Sequence, residues 1–173
     1  MPQGSEPTLS IAALFEERET KRRRDREAEE WLQKKNEEEL NDYKRRLDEF
    51  RLTNERVEAV LQRVRSAFDR GETELMLTSF PSSFCTDGGR AVNNADLPPI
   101  NKPKDGQAAA GGPPAWLATL PRGATVVYDY WEKNLKPGGF AFSARIINYP
   151  GGMPGDIGLF LSWPKSAMDL QTS

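Results

Sequence analysis

Hydrophobic and polar positions divide the chain at about residue 71. From Ser10 to Arg70 there is neither Gly nor Pro, and the residues are mostly Glu, Arg, Lys, Leu, Ala and Gln, all strong helix formers. The pattern predicts one uninterrupted helix over 10–70, with Thr8 or Ser10 as its N-cap and Gly71 as a left-handed C-cap. At 1.5 Å rise per residue such a rod would be roughly 90 Å long.

Within it, Leu40, Tyr43, Leu47, Phe50, Asn54, Val57, Leu61, Val64 and Phe68 recur at alternating spacings of four and three. That is the a/d seam of a coiled coil. Asn54 is the polar exception; at an a position a buried amide pairs with its copy in a partner helix and fixes register and oligomer state. The seam favours self-association, as a parallel homodimer, over the alternative in which the same residues pack on the chain's own C-terminal domain. Extended backward, the register lands on Asn36, Gln33, Glu29, Arg26 and Arg22, so the apolar stripe stops. There the helix rests on i,i+4 pairs such as Glu17 with Lys21, Glu19 with Arg23 and Glu30 with Lys34, each worth ~0.2–0.5 kcal/mol. Ahead of the charges, Ile11, Ala12, Leu14 and Phe15 form a short apolar end. It reads either as a docking peptide for a partner groove or as a helix tip packed on a neighbouring chain.

After Gly71 the pattern changes to short β-branched and aromatic runs between Gly and Pro. Strands are predicted over 73–80, 140–149 and 157–163, the last two alternating apolar residues on one face. Their connection, Pro150 to Asp156, is too short for a parallel crossover, so the pair is an antiparallel hairpin. Helices are predicted around 88–94 and 125–135, the second with Val126, Val127, Tyr130, Trp131 and Leu135 on its apolar face. The fold class is therefore α+β: a long N-terminal helix, partly coiled coil, followed by a small antiparallel three-stranded sheet with two helices. Residues 1–9 and 166–173 read as disordered ends, 71–165 as the small domain. The Pro-, Gly- and Ala-rich stretch 97–114 reads as a flexible loop within that domain.

Charge sharpens this division. Residues 16–56 carry 13 basic and 14 acidic side chains, whereas 71–173 carry 8 and 9. The net charge is −2 over 173 residues, so no global pull toward nucleic acid or anionic lipid is expected. The run Lys21, Arg22, Arg23, Arg24, Asp25, Arg26 is flanked by glutamates on both sides, and four consecutive helical residues point in different directions. Weak nucleic-acid binding through it ranks below the other readings. With a mean hydropathy of −0.69 and no long apolar run, no membrane span is expected. The start carries no signal-peptide pattern, and the expected location is the cytoplasm.

Candidate chemistry is sparse. The chain has no His and a single Cys, which removes the usual general base and the commonest metal ligand. Neither a metal site nor a cofactor is expected. Cys85 has no imidazole to activate it and reads as a structural thiol. Thr86, Asp87, Gly88, Gly89 and Arg90 resemble an anion-binding nest at a helix start. They lack the spacing and Lys-Ser/Thr ending of a phosphate loop, and Asp87 is more simply a turn and N-cap. The glycines of Pro150 to Asp156 allow close approach of a ligand or reverse two strands. Asp129, Glu132 and Asp156 show no spacing typical of a carboxylate pair. The expected function is a non-enzymatic, homo-oligomeric scaffold or adaptor acting on itself and on a further protein partner. The alternative is a small-ligand or phosphate-binding regulatory module using loop 86–90.

Overall fold

The computed structural model describes Gly4, residues 8–95 and residues 113–171. Most of the predicted loop 97–114, and most of the predicted disordered N-terminus 1–9, lie outside the described residues. The order of elements is α1 (Ile11–Asp48), α2 (Asn54–Asp69), β1 (Glu74–Pro81), α3 (Arg90–Ala95), α4 (Arg122–Tyr130), β2 (Ala141–Ile146) and β3 (Asp156–Ser162), linked by short 3₁₀ turns. The predicted tail 166–173 instead contains a 3₁₀ turn, Ala167–Gln171. The chain divides into two compact units, Met1–Tyr43 and Lys44–Ser173.

The predicted single helix over 10–70 is two helices. α1 ends at Asp48, and α2 starts afresh after Thr53, whose backbone is extended at φ −92° and ψ 158°. No Gly or Pro breaks the run; a side-chain cap does. The Thr53 hydroxyl oxygen accepts from the Arg56 N–H at 3.3 Å, and the Arg56 guanidinium donates to the Arg51 carbonyl at 2.6 Å while lying over the Phe50 ring, 4.8 Å from its centroid. Thr offers the backbone this alternative to a continuing helix, and the termini on either side of the break are thereby satisfied. Asn54 accordingly stands exposed in the first turn of α2, at a helix start instead of within a continuous coiled-coil seam.

In the unit Lys44–Ser173, three antiparallel strands lie in the order β1-β3-β2. Each predicted strand is found within three residues of its expected limits, and β2 and β3 form the expected hairpin. One row across the sheet is apolar: Phe80, Ile157 and Ile146 stand in register, as do Leu75, Leu161 and Phe142. Between Met76 and Thr78 the register of β1 shifts by a bulge, which keeps the alternation of faces on either side of it. Ile157, Leu159, Leu161, Phe80 and Val92 are fully buried, each removal from water stabilising by roughly 1.5–3 kcal/mol. Trp116, Tyr128, Trp131 and Phe142 cluster beside this row with ring centroids 5.2–6.1 Å apart. α4 brings Tyr128 to the cluster, and its continuation as a wider π-type turn over Trp131–Leu135 brings Trp131.

α2 belongs to the same unit, so the domain begins well before the expected residue 71. Val64 and Ala67 are buried, Val57 and Leu61 half-buried, and Arg63 donates to the Met76 carbonyl of β1 at 2.8 Å. The last turn of α1 also abuts α4. A Cβ on Gly123 would stand 2.1 Å from the Leu47 carbonyl oxygen, so only glycine allows this backbone approach. Gly123→Ala is expected to destabilise the protein by about 2–3 kcal/mol through overpacking, read as a lower urea midpoint at unchanged m. Gly138→Ala, whose added Cβ would have nothing nearer than 3.8 Å, is the near-neutral control.

Candidate functional site

The loop over Cys85–Arg90 uses its own polar groups internally. Asp87 takes the Gly89 N–H on one carboxylate oxygen at 3.0 Å and the Ala91 N–H on the other at 2.8 Å. The Gly88 N–H donates to the Cys85 carbonyl and the Thr86 N–H to the Thr119 carbonyl. Gly88 and Gly89, both at positive φ, thus wrap the chain around a carboxylate of its own. An incoming anion would meet Asp87 where the nest geometry wants negative charge; Arg90 is exposed beside it. This geometry closes the turn that leads into α3, a short helix whose Val92 is fully buried.

Cys85 is buried at 5% exposure. Burial, and next the charge of Asp87, push its thiol up to about 11, while a hydrogen bond with Thr119 acts in the opposite direction. A thiol so placed is almost entirely protonated near neutrality and is a poor nucleophile.

The other acidic and glycine-rich candidates are also accounted for locally. Asp156 accepts from Asn148 Nδ2 at 2.9 Å, and its own N–H donates to Asn148 Oδ1 at 2.8 Å. Ser82 donates its hydroxyl to the Pro154 carbonyl and its N–H to the Gly155 carbonyl. These bonds fix the hairpin loop from both sides. Asp129 and Glu132 are exposed on α4 and its continuation, where their charge raises the Tyr128 hydroxyl after the larger effect of burial. Among the described residues, no three His, Cys, Asp or Glu side chains are grouped as metal ligands, and no helix is long and apolar enough to cross a membrane.

Among the described residues, two surfaces expose several large apolar side chains. The first is α1, none of whose residues is buried. Ile11, Phe15 and Trp31 are exposed at 71%, 59% and 64%, and Leu14, Leu32 and Leu40 are exposed as well. Cations lean over two of these rings, Arg18 over Phe15 and Lys35 over Trp31, so the charged lattice partly shields its own aromatics. Arg22, Arg23 and Arg24 are exposed among glutamates, and Arg26 pairs with Glu19 at 3.8 Å.

The second is a cleft of about 450 Å³ between the C-terminal end of α2, the turn before β2 and the segment after β3. Val64, Phe68, Phe140 and Trp163 supply its apolar walls, and Arg65, Asp69 and Lys165 stand at it with their charges. Trp163 is fixed by its indole N–H, which donates to the Glu72 carbonyl at 2.8 Å, and by an edge-to-face contact with Phe140. Phe68 remains 63% exposed. Of the nine seam residues, the structure thus leaves Leu40, Tyr43 and Leu47 on α1, Phe50 in the connection, Asn54 at the start of α2, Val57, Leu61 and Val64 toward the domain, and Phe68 on the cleft. The pattern of the sequence marked Phe68 and Trp163 as apolar but not as neighbours, since nearly a hundred residues separate them.

No protein-family model, no curated protein sequence and no solved structure matches this chain.

Because the Cys85 thiol is raised from about 9 toward about 11, the folded state holds its proton more tightly than the unfolded chain. Its contribution to stability is complete below about pH 9 and falls as the pH climbs to about 11. Native protein at pH 8 is therefore expected to react with iodoacetamide about 100-fold more slowly than the urea-unfolded chain; equal rates would refute the buried, protonated thiol.

Proposed function

We propose that this chain is a non-enzymatic, homo-oligomeric scaffold or adaptor, in which α1 is the element of self-association and the unit Lys44–Ser173 is the module it presents. The observation that carries this reading is that α1, 38 residues long, has no buried residue yet exposes Leu14, Phe15, Trp31, Leu32 and Leu40. A helix receives most of its stability from tertiary packing of an apolar face, and a second chain would supply such packing to these exposed residues. Of the seam residues on α1, Leu40 is the exposed one and is its natural contact, whereas Leu47 packs against Gly123 of its own chain.

The absence of His, the protonated thiol of Cys85 and the internal use of the loop amides all support a binding role over catalysis. A cytoplasmic setting suits a single buried thiol with no disulfide partner. The further protein partner would meet the surfaces that self-association leaves uncovered.

Light scattering after size exclusion at tens of micromolar is expected to give at least twice the 19.4 kDa of one chain. Leu40→Asp, on an exposed position, is expected to shift the equilibrium toward monomer without loss of the folded domain. A wild-type mass of one chain at that concentration would overturn the reading.

A further inference from the structure

We propose that the cleft beside Phe68 receives the apolar tip of α1, Ile11, Leu14 and Phe15, from a second copy of the chain. The inference rests on the self-association reading and names a contact for it that the seam does not provide.

Three observations converge. The tip is apolar at i, i+3 and i+4, the anchor spacing of a helix that lies in a groove, and all three side chains are exposed. It is also preformed. Ser10 accepts from the Ala13 N–H at 3.1 Å and caps the first turn, so little chain entropy remains to be lost on docking. The cleft is the complementary shape: an open apolar slot with Phe68 and Trp163 as walls, large enough for more than one bulky side chain.

Charge supplies the third match and orients the pair. Glu16, Glu17, Arg18 and Glu19 follow the tip, a net negative stretch immediately beyond the anchors. The charges at the cleft are Arg65, Asp69 and Lys165, net positive. A tip seated with its anchors in the slot carries its glutamates out over Arg65 and Lys165, with Arg18 available to Asp69. Such contacts at an exposed rim chiefly set register and on-rate and weaken with salt. The two surfaces differ, so the contact is heterologous: each chain offers one tip and one cleft, and copies either exchange tips reciprocally or add head to tail.

The test uses the full chain carrying Phe15→Glu, which clears its own tip from any cleft, titrated with a fluorescein-labelled peptide of residues 8–24. Saturable binding by anisotropy is expected. It should weaken at least tenfold when Phe68→Glu is added to the chain, and at least tenfold when Leu14 and Phe15 of the peptide are replaced by Ser. Lys165→Glu, on an exposed side chain that the fold does not need, should weaken binding severalfold and serves if Phe68→Glu perturbs the domain. Absence of saturable binding, or indifference to both cleft variants, overturns the proposal. To identify the source of the tip, Phe15→Cys and Phe68→Cys are placed in separate chains lacking Cys85 (Cys85→Ser), mixed and oxidised. A disulfide between chains supports a second copy as donor. If both cysteines in one chain instead close only within that chain, the occupant is the chain's own tip and the proposal falls. The titration reads the cleft whatever the mass of the free protein, so its failure is separable from a failure of self-association through Leu40.

Discussion

The domain depends on β3. This strand pairs on both edges, and its Ile157, Leu159 and Leu161 face a single inner layer with no exposure at all. A strand in that position has no latitude in register, because a slip of one residue would turn the whole apolar row outward. Its neighbours inherit the constraint: Phe80 and Ile146 meet Ile157 from opposite edges, and α2, α3 and α4 supply Ala67, Val92 and Tyr128 to the buried layer. On the other face, the Arg145 guanidinium covers Phe160 at 3.9 Å and pairs with Glu74 across the sheet, which closes the central strand from that side as well.

Against this fixed domain, α1 is held by other means. Its charges compensate one another along the helix, and each exposed pair adds only a few tenths of a kcal/mol. Within Lys44–Ser173, the last turn of α1 meets Gly123 at backbone distance. The chain thus combines a packed module with a helix that has no buried residue and exposes Leu14, Phe15, Trp31, Leu32 and Leu40. That contrast is the observation on which the proposal of self-association rests.

Much of the fold was legible in residue order, and the failures have identifiable causes. Period-two alternation located β2 and β3, and the short Gly- and Pro-rich connection made their antiparallel pairing unavoidable. The place of Asp87 before two glycines suggests a turn, and its carboxylate accepts the Gly89 and Ala91 N–H groups. The break at 49–53 was missed because it contains neither Gly nor Pro. Its signal, Thr53 three residues before Arg56 and a Phe50 ring for that arginine to cover, becomes decisive only once both side chains are placed.

Apart from the break at 49–53, the sequence by itself determined the local events: which stretches are helical and which are strands, that charge is concentrated in the N-terminal helical part, and that no imidazole chemistry is available. These follow from nearest neighbours and from periods of two and 3.6, which a linear pattern records directly. Only the tertiary structure decided which way the seam faces, since Val64 turns to the domain while Phe68, one helical turn on, opens onto a cleft with Trp163. Both residues are apolar at coiled-coil spacing and are indistinguishable in the pattern. What separates them is the position of a strand nearly a hundred residues away, and packing between distant segments is set by shape and volume, which periodicity does not encode.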